Sequence, residues 1–182
     1  MKYYTLLIVV LTVTSCSKIV YQVSTLKDPN LKLDSISFAK YALRTDSLQV
    51  DKLMEANLLN IIKTEFSKKA WKETSIDSAD FIFEVNFGME SGQETGSRTI
   101  TVYEPKSGKY VPQQRAYSAT VYKRNIIIKS YSPKSQIPIW SADCISEGST
   151  NNIYLPGTYM LPFALSMFPQ QGNWTKTAFI KK

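Results

Sequence analysis

Histidine, the side chain most useful for acid–base and metal chemistry at neutral pH, does not occur in this chain. Its absence removes the usual general base, the commonest zinc and iron ligand, and every Ser-His-Asp or Cys-His arrangement. There is no Cys-x-x-Cys, phosphate loop, Gly-x-Gly-x-x-Gly or Gly-x-Ser-x-Gly pattern. Gly88, Gly92 and Gly96 are spaced as a loose loop with no helix behind them. No metal and no cofactor is expected. Carboxylates are the remaining catalytic resource, because a glycosidase needs only two acids at a suitable separation. Asp77 and Asp80 precede a Phe-rich strand, Glu84 lies within it, and Asp143 and Glu147 sit on the later strand that holds Trp140. Each of these acids also fits a strand end or solvent face, so no catalytic residue is assigned and no enzyme is expected. A carboxylate-based glycan hydrolase stands as the alternative.

Aromatic side chains are the second resource. Eleven tyrosines and three tryptophans give contact area at low entropic cost, although most must be cross-strand pairs in a sheet. Tyr103, Tyr110 and Tyr117 fall around a turn and form the candidate binding surface. Cys144, in an expected strand, suits a small buried hydrophobe better than a nucleophile.

The N-terminus carries a different kind of chemistry. Met1-Lys2-Tyr3-Tyr4 is followed by an apolar run over residues 5–13 and then Thr14-Ser15-Cys16, which is the layout of a cleavable leader over residues 1–15. A run of about ten residues rises only about 15 Å as a helix, half of a bilayer core. Val13-Thr14-Ser15-Cys16 resembles the bacterial lipobox, whose cysteine takes a diacylglyceryl group, and Cys16 is the expected lipidation site. An ordinary secretory leader ending near a cysteine is the alternative. Each buried acyl CH₂ contributes about 0.8 kcal/mol, so two or three chains anchor a protein without a spanning helix. The implied partner is a membrane. Ser17 is not the aspartate associated with inner-membrane retention in enteric bacteria, which favours the outer membrane of the cell envelope. With Cys16 acylated only Cys144 remains, so no intramolecular disulfide can form.

The formal charge is +7, from 22 basic and 15 acidic residues. The cations are scattered, with Lys68-Lys69, Lys123-Arg124 and Lys181-Lys182 the only doublets, so no stripe tracks a phosphate backbone and no nucleic acid is expected. The excess fits either an anionic lipid or glycan surface or a merely solvated face.

The rest of the chain must position these groups. Residues 16–30 are assigned to the lipidated cysteine and a tether, with Ile19-Val20-Tyr21-Gln22-Val23 open to a second reading as a first strand. Residues 35–41 alternate as a strand with Ile36 and Phe38 on one face. Residues 47–71 have helical spacing, with Leu48, Ala56, Leu59, Ile62 and Phe66 on one stripe widened by Leu58 and Ile61, and Asp46 or Ser47 as cap. Phe81, Phe83, Val85 and Phe87 share one strand face whose burial is worth about 6–12 kcal/mol. Residues 88–98 read as a mobile connection, a candidate lid. Short runs at 99–103 and 109–111 flank a hairpin turn at Pro105-Lys106-Ser107-Gly108 that should project. Residues 117–131 and 137–146 form an antiparallel pair around Pro133-Lys134-Ser135. Because Pro162 suits only a first turn, a short second helix is expected from Tyr159–Leu161 to Phe168, buried or at an interface. Residues 174–182 are either an edge strand or a tail.

This order of elements resembles the bacterial lipoproteins known as domain of unknown function 4136. The likeness rests on Phe38, the helix Leu48 to Phe66, Ala79-Asp80-Phe81, Ile139-Trp140-Ser141 and Phe168-Pro169, and the polar stretch 88–115 departs from it. It implies an envelope lipoprotein of one α/β domain, with no reaction and no catalytic residues. The expected fold is α+β: a single domain over residues 31–182, with a mostly antiparallel twisted sheet of five to seven strands and one long and one short helix packed on one face. The expected role is non-catalytic binding of a protein, lipid or glycan partner near the membrane. A structural subunit of an envelope complex is a further alternative.

Overall fold

A computed structural model describes residues 17–30, 38–45 and 51–180 of the chain. The leader, Cys16, Ile36, the caps Asp46 and Ser47, Leu48 and Lys181-Lys182 lie outside the described residues. Among the described residues the strands and α-helices follow in the order β1 (Ser17–Lys27), β2 (Lys40–Thr45), α1 (Lys52–Lys68), β3 (Lys72–Glu73), β4 (Phe81–Glu104), β5 (Lys109–Tyr131), β6 (Trp140–Gly148), α2 (Tyr154–Ser166) and β7 (Gly172–Ile180). They build one seven-stranded sheet of order β3-β2-β4-β5-β6-β1-β7. All pairs are antiparallel except β2 with β3 and with β4, which are parallel. The two helices cover one face, giving the α+β fold that the sequence patterning leads one to expect.

The Phe-rich strand forms as its alternation requires. Phe83, Val85 and Phe87 face the helices opposite Ser130, Ile128 and Ile126 of β5, and the next strand adds Trp140, Ala142 and Cys144. Helix α1 starts where Asp51 accepts from the Leu53 and Met54 amides, and it buries Leu58, Ile62 and Phe66. Ala56, placed on the stripe by spacing, is exposed, since the buried line is one residue-step around the helix. Phe66 stacks on Trp71 at 5.2 Å and meets Phe83 at 4.7 Å, and Phe168 stands edge-on to Phe83 at 5.4 Å and to Trp140 at 5.1 Å. Such edge and offset contacts add to simple area burial. The Trp140 indole and the Thr25 hydroxyl both donate to the Gln170 carbonyl, at 3.0 and 2.8 Å.

Several expectations are corrected. The segment assigned to a tether is β1: Tyr21, Val23 and Thr25 are buried, and the strand lies inside the sheet between β6 and β7. Alternation in Ile19 to Val23 was the true signal. The strand expected at 35–41 begins only at Lys40, and Phe38 is 82% exposed. Tyr41, on the opposite parity, is the buried aromatic and packs on Phe66 at 4.5 Å. Helix α2 starts at Tyr154, earlier than Pro162 suggested. Asn152 accepts from the Tyr154 and Leu155 amides, at 2.8 and 3.4 Å, and Pro156 takes the first-turn position. Pro162 therefore sits mid-helix and forfeits one backbone hydrogen bond. Burial of Met160, Leu161, Ala164 and Leu165 against the sheet and α1 offsets that loss. The last segment resolves as the edge strand β7.

Two backbone positions test this packing. Ala70 ends α1 at φ 58°, with the Trp71 amide donating to the Phe66 carbonyl at 3.1 Å and the Ala70 amide to that of Ser67 at 3.0 Å. This is a left-handed cap that normally takes glycine. Ala70→Gly should stabilise the fold by about 0.5–1 kcal/mol in urea unfolding, through relief of the left-handed penalty. At Gly157 an added Cβ would come within 2.4 Å of Leu58 Cδ2, so the Leu58 side chain of α1 packs directly on the α2 backbone there. Gly157→Val should destabilise by about 1–3 kcal/mol in the same measurement, the cost of overpacking a filled interior.

Candidate functional site

The most distinctive surface is a β-ribbon. Strands β4 and β5 pair without interruption from Ile82↔Tyr131 to Glu104↔Lys109. Among the described residues the pairing with their neighbours ends much earlier, with β2 at Thr45↔Val85 and with β6 at Tyr122↔Gly148. From Gly92 to Glu104 the two strands therefore run on with no third strand among the described residues, for about 40 Å at about 3.3 Å per residue. The stretch 88–98 is thus ladder-bonded strand, and the runs at 99–103 and 109–111 are its far end. Three glycines disguised it. Gly96 is needed there, because a Cβ would lie 2.9 Å from the Tyr117 ring opposite. The turn closes as expected, with Gly108 at φ 64° donating its amide to the Glu104 carbonyl at 2.9 Å.

Continuous register sorts the ribbon into two faces. One carries Ser91, Gln93, Thr95, Ser97, Thr99, Thr101 and Tyr103, opposite Tyr122, Thr120, Ser118, Ala116, Gln114, Pro112 and Tyr110, and holds no charged side chain. The Gln93 amide donates to the Thr120 hydroxyl at 3.1 Å, and the Ser118 hydroxyl to Gln93 Oε1 at 3.2 Å. The other face carries the rows Arg98/Arg115, Ile100/Gln113, Val102/Val111 and Glu104/Lys109. Alternating Ser, Thr and Gln at a two-residue period, with equal lengths on each side of the turn, was the signal that could have revealed it.

The three candidate tyrosines are divided between these faces. Tyr103 and Tyr110 meet across the next-to-last cross-strand row at 5.3 Å and are 51% and 73% exposed. Tyr117 lies on the opposite face further down, where its hydroxyl donates to Glu94 Oε1 at 3.3 Å. At the foot of the ribbon Arg124 is buried and donates over 3.5 and 3.4 Å to the Ser146 and Asn152 carbonyls, with its guanidinium pKa lowered by burial.

The acids are dispersed. Asp80 Oδ2 accepts from the Lys40 amide at 2.7 Å, and Glu84 pairs with Arg44. Asp143 and Glu147 share a face of β6 but lie four residues, about 13 Å, apart along the strand, beyond the usual span of a glycosidase pair. Glu90, Glu94 and Glu147 border an open depression together with Lys123, whose ammonium opposes them. Among the described residues no His, Cys, Asp or Glu cluster has the makings of a metal site. Cys144 is fully buried, and burial first, then Asp143, pushes its thiol pKa well up.

A crystal structure of a PDZ domain protein from Parabacteroides distasonis superimposes with TM-score 0.55 at 13% identity over 90% of this chain, which spans 39% of that one. A DUF4136 family protein from Bacteroides thetaiotaomicron gives 0.46 at 11% identity, covering 82% of this chain and 96% of that one. A PelC dodecamer from Paraburkholderia phytofirmans gives 0.44 at 10% identity, covering 80% and 95%. No curated protein matches.

The ribbon lies apart from the core, so its excision should be silent for stability. Replacing residues 93–120 with an Asn-Gly turn should leave the thermal midpoint within about 3 °C, because a two-stranded ribbon alone adds little. A fall of ten degrees in a calorimetric scan would show that the ribbon props up the sheet. The family's sequence profile, described as Domain of unknown function (DUF4136), matches residues 23–156, most of the sheet together with α1, and the chain belongs to this family.

Proposed function

We propose that this chain is a non-catalytic lipoprotein of the bacterial cell envelope, anchored through acyl groups on Cys16, that engages a protein, lipid or glycan partner with its β-ribbon. One observation carries the reading: a ribbon of about 40 Å extends past the sheet and buries none of its side chains in the core. Ordered surface of that extent, with a tilted tyrosine pair in contact near its end, is what an extended recognition element requires. The leader and lipobox of the sequence supply the address, and β1 opening at Ser17 means that little chain separates anchor from fold. The outer membrane is the location favoured by Ser17.

The test has two arms. Cells expressing the native chain should incorporate labelled palmitate, and Cys16→Ser should lose the label and move to the soluble fraction with its fold unchanged. A photo-crosslinking residue at Tyr103 should form envelope adducts that the same residue at Asp77 does not. Equal retention of Cys16→Ser in membranes removes the anchor, and identical adduct patterns from both positions remove the ribbon as the working surface. The hydrolase alternative would instead require glycan turnover that disappears in Glu147→Gln.

A further inference from the structure

We propose that the distal end of the ribbon rests on the anionic headgroups of a phospholipid bilayer, a second membrane contact beside Cys16; this rests on the lipid-anchor reading above. Strand β1 starts at the sheet end from which the ribbon departs: Tyr21 pairs with Ser146, Ser146 with Arg124, and Arg124 with Met89. Ser17 therefore lies level with Gln93, at the ribbon's foot, and the ribbon reaches up to about 36 Å further. A lipid on the preceding residue brings the bilayer to that same end.

The ribbon cannot pass into hydrocarbon. Among the described residues its outer backbone edges pair with no third strand from Gly92 to Glu104 and from Lys109 to Val121, and one face carries Glu94, Arg98 and Arg115. Unsatisfied backbone and charge keep such an element out of the bilayer core. It must lie along the surface.

Charge selects the surface. Residues 98–115 hold four cations, Arg98, Lys106, Lys109 and Arg115, against the single acid Glu104. Arg98 and Arg115 stand directly opposite each other on one face, an arrangement that disfavours the pairing of the strands. Neither has a carboxylate partner among the described residues. An external anion relieves that repulsion. Between the arginine row and the turn lie Ile100, Val102 and Val111 on the same face, all partly exposed. Guanidiniums on phosphates with aliphatic groups at the acyl boundary is the arrangement of interfacial membrane elements. Each surface cation contributes to attraction by anionic lipid, and the contribution falls away within a Debye length.

The experiment uses the full acylated chain carrying Ser107→Cys, labelled with a fluorophore and reconstituted into vesicles whose headgroups bear a nitroxide quencher. Cys16 is then acylated and Cys144 is buried, so the label goes to the turn. In vesicles containing phosphatidylglycerol the label should be quenched, and the quenching should be lost at high salt. The Arg98→Gln, Arg115→Gln variant should shift the tip toward its unbound state about 30-fold. Equal quenching in purely phosphatidylcholine vesicles, or quenching unaffected by the two substitutions, overturns the inference. A label that floats with anionic vesicles yet stays unquenched, and responds instead to added dextran sulfate, reassigns the patch to an anionic glycan and leaves the anchor standing. A chain that does not float with vesicles at all overturns both readings.

Discussion

The pairing of β4 with β5 is the constraint on which the rest of the molecule depends. A single ladder runs from Ile82↔Tyr131 in the sheet to Glu104↔Lys109 at the turn, without a bulge to absorb an error. Slipping it by one residue would turn Phe83, Val85 and Phe87 out of the core and carry every ribbon side chain to the wrong face. Because the inner third of the ladder is locked by phenylalanines and isoleucines under two helices, the outer part inherits its register from the core. The surface chemistry of the ribbon is thus set by packing far below it.

That packing is concentrated. Phe66, Trp71, Phe81, Phe83, Trp140 and Phe168 form one aromatic knot where α1, the strands and the segment after α2 converge. Lys69 ties the two helices at the same place, donating to the Leu165 carbonyl at 2.7 Å, with its pKa lowered by burial against an opposing pull from Glu65. An ammonium on the last turn of α2 also faces the negative end of that helix. Interior polar groups are few. The Ser130 and Ser146 hydroxyls are buried without a hydrogen-bond partner, and each sets a small cost against the surrounding apolar contacts.

Strong periodicity was legible in the sequence and weak periodicity was not. Phe81 to Phe87, the helix through Phe66, and the pair around Pro133 were each readable because a buried face repeats at a fixed interval. The ribbon escaped because neither of its faces is buried: Ser, Thr, Gln and Gly at 91–99 alternate in nothing that hydrophobicity measures. Pro162 misled in the other direction, since the local preference it obeys elsewhere is overridden by contacts from residues distant in sequence. Tyr41 and Phe38 show the limit of parity arguments, because alternation divides residues between two faces without saying which face is buried or where the strand begins. For the tyrosines, types alone suggested one patch, and only the register shows that Tyr103 and Tyr110 share a face while Tyr117 has its own partner in Glu94.

The position of Cys144 has a consequence for the life of the molecule. It sits opposite Val23 and Ile126 in the middle of the sheet, with no exposed surface. An oxidant can reach the sulfur only when the strands on either side part, and the same opening removes the burial that holds the thiol pKa high, so reaction is confined to opened molecules. Its oxidation state is therefore a memory of unfolding: a population that has never opened keeps this sulfur reduced, and each excursion leaves a chemical mark that refolding does not erase.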